Sequence, residues 1–398
     1  MKRVNTILTI ILLVITGCRG NKQSIGDFLT VDVTKSYPPK ELILQDFMDV
    51  EYIALETNDD FLTQGVVLAI GKKHIVVKNQ IADGDIFVFD RNGTGLRKFN
   101  RLGQGPGEYS HINELILDEE NGEIFIVDSS GRILVYDLYG NFKRSLNPIE
   151  QTKYIHLCNY DHDNLICLGS ESVFNARSVS TYPFFIVSKH NGSIKKEIQI
   201  PLIERAPRGV QVRTDDGGWS MSVITSFFHP LIPYHRDWIL TMHSSDTVFV
   251  HLPDYSLHPF IVKTPPSQSI KQETFLFPGI LIDRYYFMIV LKEDAGAKSP
   301  WPMIPNHPVM TTTNLVYDTQ ERNLFASIVY NGDFSDKRQV SMFQKNADNS
   351  EIAFWHKIEA YELIDDFKKG VLNGKLMEIA VELNEEDNPI IMIVTYKK

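Results

Sequence analysis

The residues best suited to recognition chemistry lie between Arg213 and Trp238, in RTDDGGWSMSVITSFFHPLIPYHRDW. Asp215 and Asp216 supply carboxylates, Trp219 supplies a large aromatic plane, and His229, Tyr234, His235 and Arg236 supply donors and stacking groups. Aromatic and arginine side chains on loops are favoured contacts, because they bury much area and lie where backbone is open to a partner. A second stretch, KSPWPMIPNHP from Lys298 to Pro308, offers Trp301 on a proline-rich loop, where the ring either stacks on a sugar or lies flat on the fold. The competing reading of both stretches is a long connection whose aromatics pack.

Catalytic chemistry is less well represented. His229, His235, His243, His251 and His258 crowd one region, but their spacing spreads them over several strands and loops, and no His-Glu-x-x-His or paired Cys-x-x-Cys accompanies them. There is no Gly-x-Ser-x-Gly nucleophile turn. DGD at Asp83 to Asp85 and DHDN at Asp161 to Asn164 have the carboxylate density of calcium loops, but neither continues to a Glu at the twelfth position, so both read as β-turns. RLGQGPGEY, from Arg101 to Tyr109, has the glycines of a phosphate loop without its Gly-Lys-Ser/Thr ending. Gly103, Gly105 and Gly107 alternate between two strands, and Pro106 removes a backbone donor, so the loop reads as structural: glycines that allow positive φ and a close crossing of backbone.

Positioning such groups falls to strands. Short β-branched and aromatic runs separated by turn residues recur through the chain, and helical spacing is confined to HKIEAYELIDDFKKGVLNGKLMEIAVEL, from His356 to Leu383. IFVFDRNGTGLRKF (Ile86 to Phe99) superposes on ILVYDLYGNFKRSL (Ile133 to Leu146): one offset carries Ile86, Val88, Asp90, Gly93 and Arg97 onto Ile133, Val135, Asp137, Gly140 and Arg144. PFFIVSKHNGSIKKEI from Pro183 is a weaker copy, and hairpins from Asp246 and Asn314 are more eroded ones. Repeats of about 40–50 residues carrying several short strands are propeller blades, each of which needs neighbours to bury both faces. The pattern predicts an all-β, six-bladed β-propeller of four-stranded blades over residues 41–398, with a short helical insertion in the last blade. VEYIALET (Val50 to Thr57) and PIIMIVTYK (Pro389 to Lys397) are the terminal strands that would close the ring. Two packed sandwich domains are the alternative.

The amino terminus reads as a lipoprotein signal over residues 1–17: Lys2 and Arg3, an apolar run to Ile15, then Thr16-Gly17 before Cys18, the lipidation residue, followed by a tether over residues 18–40. Ile15 stands where leucine is commoner. Over 398 residues the formal net charge is −10, more negative once Lys2 and Arg3 are removed, which disfavours nucleic acid. The expected address is the bacterial envelope, lipid-anchored in the outer membrane and facing the periplasm. In that oxidising compartment Cys158 and Cys167, in YIHLCNYDHDNLICLG, become disulfide candidates: a two-residue turn at His162 and Asp163 would set them opposite each other, with buried reduced thiols as the alternative.

Gly103 to Phe142 resembles the NHL-type propeller pattern. The whole mature chain resembles bacterial six-bladed propeller lipoproteins of undefined function, through ALET (Ala54 to Thr57), GQGPGEY (Gly103 to Tyr109), DTV (Asp246 to Val248) and DNPIIMI (Asp387 to Ile393). The resemblance implies the fold and brings no catalytic residues with it. The expected function is a monomeric, non-enzymatic module that binds an envelope protein or peptide, or a glycan, and needs no cofactor. The alternative is a metal-dependent lactonase or lyase holding calcium or zinc in a central channel, with ligands drawn from several blades and no local motif.

Overall fold

Asp90 and Asp137 define the unit from which the fold is built. The Asp90 carboxylate accepts the amides of Asn92 and Thr94 at 2.8 and 2.9 Å, and Asp137 does the same for Tyr139 and Asn141 at 2.8 and 2.9 Å. Each turn then needs a left-handed residue, supplied by Gly93 (φ +89°) and Gly140 (φ +79°). A β-bulge follows Val88 in one copy and Val135 in the other, so the sequence repeat is a structural repeat down to its irregularity.

The computed structural model describes residues 28–146, 154–169, 184–201, 209–213, 219–223, 229–296, 308–343 and 351–397. Their strands form six sheets, which are the blades of a six-bladed β-propeller. Blade 1 is Val66–Ile70, His74–Lys78, Asp85–Asp90 and Gly95–Asn100; blade 2 is Glu114–Asp118, Glu123–Val127, Ile133–Asp137 and Phe142–Leu146. Blade 3 is Tyr154–Asn159, Asn164–Gly169, Phe184–Ser188 and Ile194–Ile198; blade 4 is Leu231–Tyr234, Asp237–Leu240, Thr247–His251 and Leu257–Thr264. Blade 5 is Thr274–Leu281, Tyr285–Glu293, Val309–Asp318 and Asn323–Tyr330. Among the described residues blade 6 has Ile352–Ile358, Ile390–Tyr396 and Met48–Ala54.

The core lies between blades. Along the fully buried strand Glu123–Val127, Ile124 and Ile126 join the cluster shared with blade 1, while Phe125 and Val127 join the one shared with blade 3. A strand of period two, apolar on both faces, therefore needs a neighbour on each side. Met48–Ala54 pairs antiparallel with Ile390–Tyr396 from Met48↔Tyr396 to Ala54↔Ile390, closing the ring with the two predicted terminal strands. The insertion is two helices, Ala360–Lys369 and Gly374–Glu382, anchored through Leu363 and Leu376 in the cluster that holds Tyr52 and Phe354.

Four expectations are corrected. Residues within the proposed tether form strands: Leu29–Asp32 runs parallel to Ile261–Thr264 on the edge of blade 4, and Pro39–Ile43 runs parallel to Ala326–Tyr330 on the edge of blade 5. Those edges, LHPFIVKT and NLFASIVY, carry little charge, whereas the outer strands of blades 2 and 3, FKRSL and IKKEI, carry their own basic residues. The strap thus covers edges that charge does not protect. The stretch from Arg213 to Trp238, read as a loop or long connection, takes part in a hairpin, Gly209–Arg213 with Trp219–Val223, that joins blade 5 at Val309 and Met310.

The cysteines are out of register. The turn spans Tyr160 to Asp163, with the Asp161 carboxylate accepting the amides of Asp163 and Asn164, and Cys158 pairs with Ile166 and Cys167 with Leu157. A one-residue slip reverses the face, and the two sulfurs lie in different core clusters with no disulfide joining them. A reducing agent is therefore expected to leave the thermal midpoint of the purified chain unchanged; a fall of several degrees on reduction would contradict this register.

The glycine loop is structural by a different route from the one expected. None of Gly103, Gly105 and Gly107 is left-handed. Proximity sets them apart instead: a Cβ on Gly103 would lie 2.0 Å from the Glu108 carboxylate, which would have to swing aside, and one on Gly107 2.7 Å from the Phe142 ring. Glu108 also accepts the Gly105 amide at 2.8 Å, which folds the loop over its own carboxylate. Buried Tyr109 donates to the Gly84 carbonyl at 2.6 Å and accepts the Arg101 amide at 3.0 Å, fastening blade 1 to the entry of blade 2.

Candidate functional site

Each blade begins at its innermost strand, and these strands run in one direction round the ring, so the turns that follow them gather on one face. They lie at 71–73, 119–122, 160–163, 235–236 and 282–284. At the first three the strand ends surround a cavity of about 600 Å³, walled by Ala69, Ile70, Leu117 and Tyr160 and rimmed by Lys72, Lys73, Glu120 and His162.

Most of the carboxylates beside the cavity are held by the fold. Glu119 accepts the amides of Lys72, Lys73 and His74 at 2.7, 3.0 and 2.9 Å, and its oxygen lies 2.8 Å from His74 Nδ1. It acts as a cap reaching from blade 2 into the turn of blade 1. Asp118 accepts Lys189 Nζ at 2.7 Å and Asn121 Nδ2 at 2.9 Å. Lys189 and Asp118 are 3% and 4% exposed, so neither charge could be left without the other. Lys189 donates again to the Asp161 carbonyl at 2.8 Å, joining blades 2 and 3 at the cavity wall. At the rim Lys73 and Glu120 make no ion pair among the described residues, and Lys72 reaches Glu351 at 3.0 Å with both side chains mostly exposed. Tyr160 is stacked against Trp238 with centroids 6.2 Å apart, and burial pushes its phenol up to about 12, so it stays a neutral donor at any physiological pH.

The residues singled out by sequence divide. Tyr234, His235 and Arg236 lie at the corresponding turn of blade 4, on the same face as the cavity. His235 Nε2 lies 3.0 Å from Asp283 Oδ1, both exposed, and the Tyr234 hydroxyl is 3.2 Å from that of Tyr286 within an apolar cluster under the strap. His229 precedes the first strand of blade 4, at its other end, with its ring 5.0 Å from that of Phe343. Trp219 begins a strand of the extra hairpin; Asp215, Asp216, Trp301 and Cys18 lie outside the described residues. The histidine run does not converge: among the described residues no three His, Cys, Asp or Glu side chains are grouped to hold a metal ion.

Sequence reasoning missed Lys72, Lys73, Glu119 and Lys189, because each is an ordinary turn residue until the ring brings three blades together. DHDN was the nearest signal. It is a turn, as read, and Asp161 and His162 line the cavity.

A family model described as a six-bladed β-propeller matches residues 19–206. Among solved structures, a Bacteroides fragilis protein described as exported aligns with a TM-score of 0.57 at 14% identity, covering 94% of this chain and all of the other. The virginiamycin B lyase of Staphylococcus aureus aligns with a TM-score of 0.35 at 11% identity, over 72% of this chain and 94% of that one. No curated protein matches. The likeness is one of fold.

Proposed function

We propose that the chain is a binding module, anchored by lipid on Cys18 in the bacterial envelope, which takes up a protein or peptide partner on the face that carries the cavity. The observation that supports it most is the commitment of charge around that cavity. Glu119 and Asp118, the carboxylates a hydrolase or lyase would use as base, are spent on backbone amides and on Lys189. What stays exposed at the rim is a mixture of Lys73, Glu120 and His162, the last with Nδ1 3.0 Å from Asp163 Oδ1, beside the Tyr160 wall, which is recognition chemistry. His235 and Arg236 extend the same face over blade 4, and Asp215, Asp216, Trp219 and Trp301 remain candidate contacts. The description of the Bacteroides fragilis neighbour as exported agrees with the signal sequence.

The test is crosslinking in intact producing cells with a carboxyl-terminal tag, comparing wild type with Lys73→Glu/Glu120→Lys, a double charge reversal at the rim. One dominant envelope protein is expected, reduced at least tenfold in the variant at unchanged thermal stability. Equal recovery from both chains, or no envelope protein at native expression, would sink the reading.

A further inference from the structure

His251 ends the third strand of blade 4, is 1% exposed, and has no hydrogen-bond partner among the described residues on either ring nitrogen. Buried imidazoles normally have one, since leaving a polar group dry and unpaired costs free energy. Its neighbours make the seam between blades 3 and 4. The Tyr160 ring, which also lines the cavity, lies 6.2 Å away, edge-on; the Tyr255 ring lies 6.0 Å away, half-exposed.

The charges facing the imidazole come from both blades. From blade 4, Asp254 lies in the following turn, but its carboxylate is occupied by the Ser256 amide at 2.9 Å and hydroxyl at 2.6 Å, and His258 Nε2 is 3.1 Å from that hydroxyl. From blade 3, Lys196 opposes a second cation, with its Nζ 5.6 Å from the Tyr255 ring centroid. A proton arriving on His251 therefore meets two phenols, an occupied carboxylate and a lysine, and no acceptor in place among the described residues.

We propose that His251 is an acid-operated latch on the seam between blades 3 and 4. Once protonated, the imidazolium draws water or the Asp254 carboxylate into the seam, Tyr160 shifts off Trp238, and the cavity wall loosens. Burial holds the His251 imidazole below its ordinary value of 6.5, with Lys196 acting in the same sense and Asp254 against it. The unfolded chain thus binds more protons than the native one between the folded value and 6.5, so this group's contribution makes stability fall as pH falls through that window. His356, whose imidazole is held down by partial desolvation although its side chain reaches solvent, acts in the same direction on the global slope, so the seam must be read locally.

Trp238 provides that reading. The latch stands on the seam alone; its use in releasing a partner rests on the function proposed above, and a seam measurement without a partner keeps the two separable. Tryptophan emission of the full chain should change reversibly with a midpoint below pH 6.5 while far-ultraviolet dichroism stays constant. The change should vanish in Trp238→Phe and in both His251→Gln and His251→Phe, the second keeping the aromatic packing, and persist in His356→Gln. A titration unaltered in both His251 variants, or a wild-type chain whose emission stays flat over that range, would overturn the latch.

Discussion

Replacing Lys189 by methionine is expected to lower the unfolding free energy by about 3–5 kcal/mol, the cost of stranding a buried partner charge. Lys189 and Asp118 are each almost wholly buried and join the last turn of blade 3 to the end of the first strand of blade 2 at 2.7 Å. Methionine keeps most of the stem, so packing changes little and the loss reports the charge. The carboxylate keeps Asn121 but loses its cation, and the Asp161 carbonyl loses its donor as well. A second variant separates charge from shape: Asp118→Asn added to Lys189→Met removes the stranded anion while an amide oxygen still accepts from Asn121. The double variant should recover at least half of the loss, seen as a positive coupling in chemical denaturation. If Lys189→Met costs less than about 1 kcal/mol, the range of exposed pairs, water from the cavity already solvates this pair and its role in joining the blades is small.

What could be read in advance was what the chain writes locally. The Asp90–Gly93 and Asp137–Gly140 turns repeat because a carboxylate accepting amides two and four residues on needs a left-handed residue in between, and this chemistry is complete within one hairpin. Blade number, closure by Met48–Ala54 and Ile390–Tyr396, and the helical insertion follow from such units plus the need to bury both faces of each. The strap was invisible for the opposite reason. Val31 and Leu42 meet Lys263 and Val329, partners far along the chain, and a short parallel strand leaves no periodicity of its own. The cysteine register turned on a single residue, since pairing Cys158 with Ile166 instead of Cys167 puts the two sulfurs on opposite faces. The cavity was hidden in the same way as the strap. Lys72, Glu119 and Tyr160 belong to three separate turns, and their convergence is a property of the ring.

Tyr109→Ala is expected to cost about 3–5 kcal/mol, the range for emptying a large buried side chain. The ring is fully buried among Ile86, Leu115 and Tyr136, so alanine leaves a cavity where blades 1 and 2 meet. Its hydroxyl is a second, separable contribution. Burial pushes the phenol up to about 12, so it remains a donor to the Gly84 carbonyl while accepting the Arg101 amide. Tyr109→Phe keeps the ring and strands both backbone groups, at about 1–3 kcal/mol. The ordering Ala worse than Phe worse than wild type, with Phe clearly above zero in denaturant titration, is what a loop that fastens two blades requires. A ligand loop predicts otherwise: both substitutions would spare stability, and inorganic phosphate would raise the thermal midpoint of the wild-type chain. The loop around Tyr109 argues for the first outcome, because the Glu108 carboxylate lies beside Gly103 and already takes the Gly105 amide, where it would repel a phosphate.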